Sequence, residues 1–469
     1  MLFSSINFLY FFLPAVLFLY FFAPKRLKNC VILISSLFFY GWGEPKYLLL
    51  MTFSIVQGYF FGLLIEKFIN NDKRLAAKSS LTATVLLSLG MLAYFKYADF
   101  FIANFNAVTG FSTPLLKIAL PIGISFYTFQ ILSYSVDVYR RVATVQKNFI
   151  NFATYVSMFP QLIAGPIVRY SDIADQLKNR IHSVLSTAEG LRRFIIGLSK
   201  KVLIANVLGE LVESFKASGD KSVLFVWIYA LGYSLHIYFD FSGYSDMAIG
   251  LGKIFGFRFP ENFNYPYISS SATEFWRRWH MSLGTWFRDY LYIPLGGNRV
   301  SKLRWMLNLL VVWMATGLWH GADWNFVVWG LWFALLLMIE KLFLLKFLNK
   351  TKILGHVYLI LSIFISFIIF DMGDMSQVWH TIKAMFGFGD LPFTTTESLY
   401  SLRNYGIIFV VAIVGATPAV KTLVNKLKHS QKGSAVVCIA EPVILTLLLA
   451  VITAFLVDGS FNPFLYFRF

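Results

Sequence analysis

Ten stretches of the chain carry apolar side chains for long enough to cross the roughly 30 Å hydrocarbon core of a bilayer. They fall near 6–23, 46–65, 79–97, 117–136, 193–214, 222–241, 322–345, 353–371, 405–424 and 437–457, with shorter candidates near 28–43 and 305–320. The segment 150–166 holds Pro160, Gly165 and Pro166, which fits a broken or re-entrant helix better than a span. Irregular backbone at that depth is tolerated only inside protein or beside water. The polar stretches between the runs divide by charge. Lys25, Arg26 and Lys28 mark one side, joined by the basic loops at 67–78, 140–147, 169–201, 253–304, 341–352 and 421–432. The alternate loops are poor in Lys and Arg, and the one near 371–404 carries Asp371, Asp374, Asp390 and Glu397. The positive-inside rule assigns the basic loops to the cytoplasm. Twelve crossings and one re-entrant segment then leave both termini outside, including the tail 461–469. The expected architecture is an all-α polytopic membrane protein of about 11–12 transmembrane helices, with re-entrant or interfacial helices around a central tunnel, in one domain spanning 1–469.

Composition sharpens this picture. Of 469 residues, 57% are hydrophobic and only 14% charged, against roughly 25% charge in soluble domains. Too little polar surface remains to cover a soluble body containing 50 Phe, 24 Tyr and 12 Trp. The net charge of +17 would point to nucleic acid in a soluble protein. In a polytopic protein the loop rule accounts for it. Cys30 and Cys438 lie far apart in apolar runs, with no Cys-x-x-Cys pair for zinc or redox cycling. The first apolar run has no basic segment before it and no small-residue cleavage site after it, so it reads as a retained helix.

Several chemistries drop out by inspection. There is no His-Glu-x-x-His, no Gly-x-Ser-x-Gly elbow and no Walker loop, and none of the seven histidines has an Asp five positions on. No metal-binding set is expected. What stands out is the basic stretch 253–304, followed by a short apolar hairpin with a histidine at its bend. Within 253–304, aromatic residues and arginines alternate at helical spacing from Glu274 to Tyr290, which predicts a helix at the membrane boundary. Arg277, Arg278, Arg288 and Arg299 have two readings: interfacial anchors, or holders of the phosphates of a nucleotide-like donor. His320 lies in Thr316-Gly317-Leu318-Trp319-His320-Gly321-Ala322-Asp323-Trp324. Residues 305–320 rise only about 24 Å as a helix, so the bend falls inside the membrane, where an ionisable side chain suggests function. Gly317 and Gly321 leave room for a ligand beside it. His280 precedes His320 by forty residues, and a fold could set the two at opposite ends of one tunnel. His236 is a weaker candidate; Asp240 and Asp246 are expected to cap or pin helices.

These residues resemble a known family. Arg278-Trp279-His280, Ser282-Leu283-Gly284-Thr285-Trp286 and Gly317-Leu318-Trp319-His320-Gly321 resemble the signature of membrane-bound O-acyltransferases of the bacterial alginate O-acetyltransferase type. Tyr238 to Asp246, Pro160 to Ile167, Ser125 to Gln130 and the opening Met1 to Ser5 extend the likeness over essentially the whole chain. The resemblance implies transfer of an acetyl group from cytoplasmic acetyl-CoA, a substrate rather than a tightly bound cofactor, to an exported polysaccharide such as alginate. It also implies an extracytoplasmic partner of the SGNH-hydrolase type and residence in the bacterial cytoplasmic membrane. In it, His320 is the catalytic histidine and His280 the second active-site residue. His320 would take the proton from the acceptor hydroxyl, while His280 would orient the donor or stabilise the oxyanion. Phe464 to Phe469 resemble a C-terminal aromatic motif of the family, in which Tyr466 could relay the acyl group; an aromatic anchor explains the same residues. D-alanyl transfer to teichoic acid is the enzymatic alternative. A polysaccharide or lipid-carrier transporter is the non-enzymatic one, disfavoured because the unusual residues cluster asymmetrically between 236 and 324.

Overall fold

The computed structural model describes residues 1–163 and 165–459, so Tyr466 and its neighbours lie outside the described residues. Among those described there is no β-strand. Seven helices among the described residues are long and apolar enough to span a membrane: Pro45–Asn70, Arg74–Thr109, Val223–Ile254, Trp324–Lys350, Lys352–Asp371, Thr396–Gly415 and Gln431–Val457. The other runs are helical too, but shorter, more polar or interrupted. They form Leu13–Phe22, Lys28–Gly43, Ile124–Tyr139, Lys302–His320 and a continuous helical stretch made of Val184–Ser199, the wider turn Lys200–Ala205 and Asn206–Ala217. The segment 150–166 is broken, as its prolines require, into Phe149–Ser157 and Phe159–Leu162.

The chain divides into two compact units, Met1–Phe194 with Met247–Pro260, and Ile195–Asp246 with Glu261–Phe469. The first unit buries a knot of rings, Phe3, Phe8, Phe12, Phe39 and Phe159, with edge-to-face contacts such as Phe12 to Phe159 at 5.4 Å. Inside it, Gln57 bridges two spans, donating to Ser88 and accepting from Thr84, both at 2.9 Å. Such pairs hold helices together where lipid offers no hydrophobic driving force. Three loops expected on one side from their charge meet at Tyr20, which contacts Lys28, His182 and Phe255.

In the second unit, the part of the helix Val223–Ile254 up to residue 246 is largely buried. Asp240 pairs with Lys201 at 2.6 Å, both 1% exposed, and Asp246 pairs with Lys200 at 2.7 Å. The two carboxylates pin this helix to the neighbouring turn Lys200–Ala205, as expected for pins rather than catalysts. Gln431–Val457, by contrast, presents most of its length outward, as a lipid-facing helix does.

Candidate active site

Both candidate histidines lie in the second unit. Each is buried, at 1% exposure for His280 and 4% for His320. They are held in different ways.

The stretch around His280 is not the single amphipathic helix its spacing predicts. It is broken into Ala272–Phe275, Met281–Phe287 and a wider turn Arg288–Tyr292. Glu340 caps the start of the first piece, and pairing with residues 262–264 replaces the helical hydrogen bonds at 278–281. Glu340, wholly buried, accepts from the amides of Ala272 and Thr273 at 2.6 and 2.8 Å and from the Thr273 hydroxyl at 2.6 Å. Residues 262–264 run alongside 278–281, with Asn264 N–H donating to Arg278 O and Met281 N–H to Asn262 O. His280 therefore sits at the start of Met281–Phe287 with φ +42°, in the left-handed region that non-glycine residues occupy only under constraint.

That constraint centres on Asn262. Its side-chain oxygen accepts from Ser282 Oγ at 2.8 Å and from the Ser282 amide at 3.3 Å, and lies 3.1 Å from His280 Nδ1. Its Nδ2 donates to Ser245 Oγ at 3.0 Å. A backbone amide only donates, so the atom facing Ser282 is the Asn262 oxygen. His280 Nδ1, facing that same oxygen, must carry the hydrogen. In the neutral ring Nε2 then bears the lone pair, and this atom is buried with no hydrogen-bond partner among the described residues. Phe241 stands edge-on to the ring at 4.6 Å. Burial, reinforced by the charge of His320, holds the His280 imidazole well below its ordinary value.

His320 closes the helix Lys302–His320, and Asp323 caps the next one by accepting from the Trp324 amide at 2.6 Å. The two helices cross closely. A Cβ on Gly317 would run into the Phe326 carbonyl, and one on Gly330 into the Trp313 carbonyl. Gly317 and Gly321 thus do not leave room for a ligand: the backbone and ring of Phe326 fill it. Small residues here serve helix–helix approach. The His320 ring is clamped by Trp319 and Trp329, each at 5.0 Å, and Phe370 at 5.4 Å. Asn325 fixes the hairpin to Lys352–Asp371 by donating to the Phe370 carbonyl at 3.0 Å.

The two histidines are brought into one site, not to opposite ends of a tunnel. Trp319 lies 5.8 Å from the His280 ring and 5.0 Å from that of His320, close enough that a positive charge on His320 would further disfavour one on His280. His236 stands apart, its Nδ1 donating to the Ala205 carbonyl at 2.6 Å beside the Lys201–Asp240 pair. The four arginines are held in different ways. Arg278 is bound to Glu274 at 3.0 Å and to the Asn264 carbonyl, and Arg288 to its neighbour Asp289 at 2.7 Å, while Arg277 and Arg299 are exposed. Asn262 and Glu340 were missed from sequence, since a single amide and a single carboxylate inside apolar surroundings carry no spacing signal.

Residues 88–373 match the membrane-bound O-acyltransferase family. The chain belongs to this family. It is a multi-pass membrane O-acyltransferase. Among similar proteins, the probable alginate O-acetylase AlgI of Azotobacter vinelandii is 40% identical, with the whole of both chains aligned. The protein of the same name from Pseudomonas aeruginosa is 45% identical over 83% of this chain and 75% of its own. The peptidoglycan O-acetyltransferase of Helicobacter pylori is 36% identical over 82% of this chain and 80% of its own. Within this O-acyltransferase, His280 and His320 occupy the matched region.

Proposed function

We propose that this chain O-acetylates an exported polysaccharide, with alginate the best-supported polymer because a relative named for alginate acetylation aligns from end to end. The donor is acetyl-CoA, a substrate reaching the site from the cytoplasm, and the protein resides in the bacterial cytoplasmic membrane with its basic loops inside and both termini outside. The acceptor hydroxyl belongs to the polymer or to an extracytoplasmic partner of the SGNH-hydrolase type.

The observation that carries this reading is the pair of buried imidazoles sharing Trp319. His320 takes the proton from the acceptor hydroxyl as it attacks the thioester carbonyl. The C–O bond forms, the C–S bond breaks, and the proton passes from His320 to the departing thiolate. Of the two roles open to His280, its tautomer supports orientation rather than oxyanion binding. Neutral Nε2 has a lone pair and accepts a hydrogen bond; it has none to donate to an oxyanion. Arg277 and Arg299, being exposed, are the arginines best disposed to meet the donor's phosphates, and Tyr466 keeps its proposed place as an acyl relay. His320→Ala is expected to insert and fold normally while abolishing acetylation, read by mass spectrometry of the exported polymer. Unchanged acetylation in that strain would remove the assignment.

A further inference from the structure

The first unit contains a cluster of cations that no carboxylate pairs with among the described residues. Tyr20, near the end of Leu13–Phe22, is its hub. The Tyr20 hydroxyl donates to the Phe255 carbonyl at 2.7 Å and lies 2.9 Å from His182 Nε2. With the hydroxyl hydrogen committed to a carbonyl, His182 donates to Tyr20 through Nε2. Lys28 Nζ stands 4.5 Å from the centre of the same ring and 5.5 Å from Phe21. The Arg180 guanidinium lies 5.8 Å from Tyr20 and 4.4 Å over Phe257. Gly256, at φ +82°, lets the chain pass against His182 and Arg180; a Cβ there would come within 3.2 Å of the imidazole.

Aromatic faces attract these cations, but they do not neutralise them. Neither Lys28 nor Arg180 makes an ion pair among the described residues, and Arg180 Nη1 is buried there without a hydrogen-bond partner. Burial lowers the Lys28 ammonium below its ordinary value, and the charges of Arg180 and Lys25 lower it further. Burial, then Lys28 and Arg180, does the same to His182. No carboxylate contributes to either shift. A guanidinium and an ammonium fixed on one ring, each repelling the other, form a site whose missing component is an anion with several acceptor oxygens.

We propose that Lys28 and Arg180, with Lys25 beside them, bind the phosphate of an anionic phospholipid headgroup. A soluble phosphate ester offers the same charge, but the surroundings favour a lipid. Phe18, Leu19 and Phe22 on the same helix as Tyr20 are exposed apolar side chains, placed to lie along acyl chains while the cations stand at headgroup depth. Basic pockets at helix ends hold anionic headgroups in this way.

The test uses the purified full-length protein. Thermal shift and lipid retention in native mass spectrometry are measured with dioleoylphosphatidylglycerol, with dioleoylphosphatidylcholine, with inorganic phosphate and with coenzyme A. Phosphatidylglycerol should be retained and should stabilise the wild type more than phosphatidylcholine does. Each cation removed, as Lys28→Gln or Arg180→Gln, should weaken retention by about fivefold, and the double variant by more than tenfold. Lys28→Gln leaves the Tyr20 hydrogen bonds intact, so it reports even if Arg180→Gln folds poorly. Arg26→Gln, which removes the same charge from the same loop, should leave retention unchanged. Equal retention of the two lipids by the wild type, an Arg26→Gln loss as large as that of Lys28→Gln, or protection by coenzyme A or phosphate alone would overturn the lipid site.

Discussion

The two histidines share a tryptophan, yet the regions that hold them are built on different physics. The hairpin behind His320 is regular helix on both sides, and it grips the ring by shape: Trp319, Trp329 and Phe370 pack around it, and Gly317 and Gly330 let the helices touch backbone to backbone. The segment behind His280 is irregular and grips by direction. Asn262, Ser245 and Ser282 fix the imidazole's proton as well as its place. Packing sets where a ring sits but not where its hydrogen goes. The contrast explains why a site needing one imidazole of fixed tautomer breaks a helix that its sequence would otherwise continue.

The comparison can be broken by variants that attack one mode of support at a time. The largest effect belongs to Gly330→Val. Its side chain would be driven into the Trp313 carbonyl, and the hairpin would separate at a cost of about 3 kcal/mol or more. Stability and activity should fall together, as read by thermal unfolding and acyl transfer. Survival of the folded protein would show that the close crossing is dispensable. His280→Ala comes next. It should lower acyl transfer by about a hundredfold through lost positioning of the donor, with little change in unfolding temperature.

Asn262→Asp is expected to act more subtly, on pH. The wild-type imidazole is held down by burial and by His320, so it stays neutral until the pH falls below its ordinary range near 6.5. A carboxylate beside Nδ1–H favours the imidazolium and raises that value. The acidic limb of the pH–rate profile should therefore move to higher pH in Asn262→Asp, and an unmoved limb would detach Asn262 from the tautomer. The smallest effect is that of Ser282→Ala. It removes one of three donors to the Asn262 oxygen, worth about 1 kcal/mol, and should slow transfer several-fold with the pH profile preserved.

How legible all this was in the sequence follows the same divide. The hairpin could be read because hydropathy and its glycines are local signals, although Gly317 serves helix contact and not the ligand space first ascribed to it. Asp240 and Asp246 could be read as pins, while their partners Lys200 and Lys201 could not, because pairing across helices leaves no mark in spacing. The break between Phe275 and Met281 was hidden. Aromatic and basic residues there keep helical spacing, and what overrides it is the pairing of 278–281 with 262–264, together with the Asn262 side chain eighteen residues from His280. The motifs that resemble the family marked His280 and His320 jointly; their burial against one tryptophan is a property of the fold alone.

If the two imidazoles act as one unit, their losses cannot multiply, since removing either already disables the step that needs both. The decisive measurement is the rate of acetyl transfer from acetyl-CoA by the reconstituted protein in the wild type, in His280→Ala, in His320→Ala and in the double variant. The double variant should be no slower than the slower single variant. Losses that multiply, or a full rate in either single variant, would contradict a shared acyl-transfer site at His280 and His320.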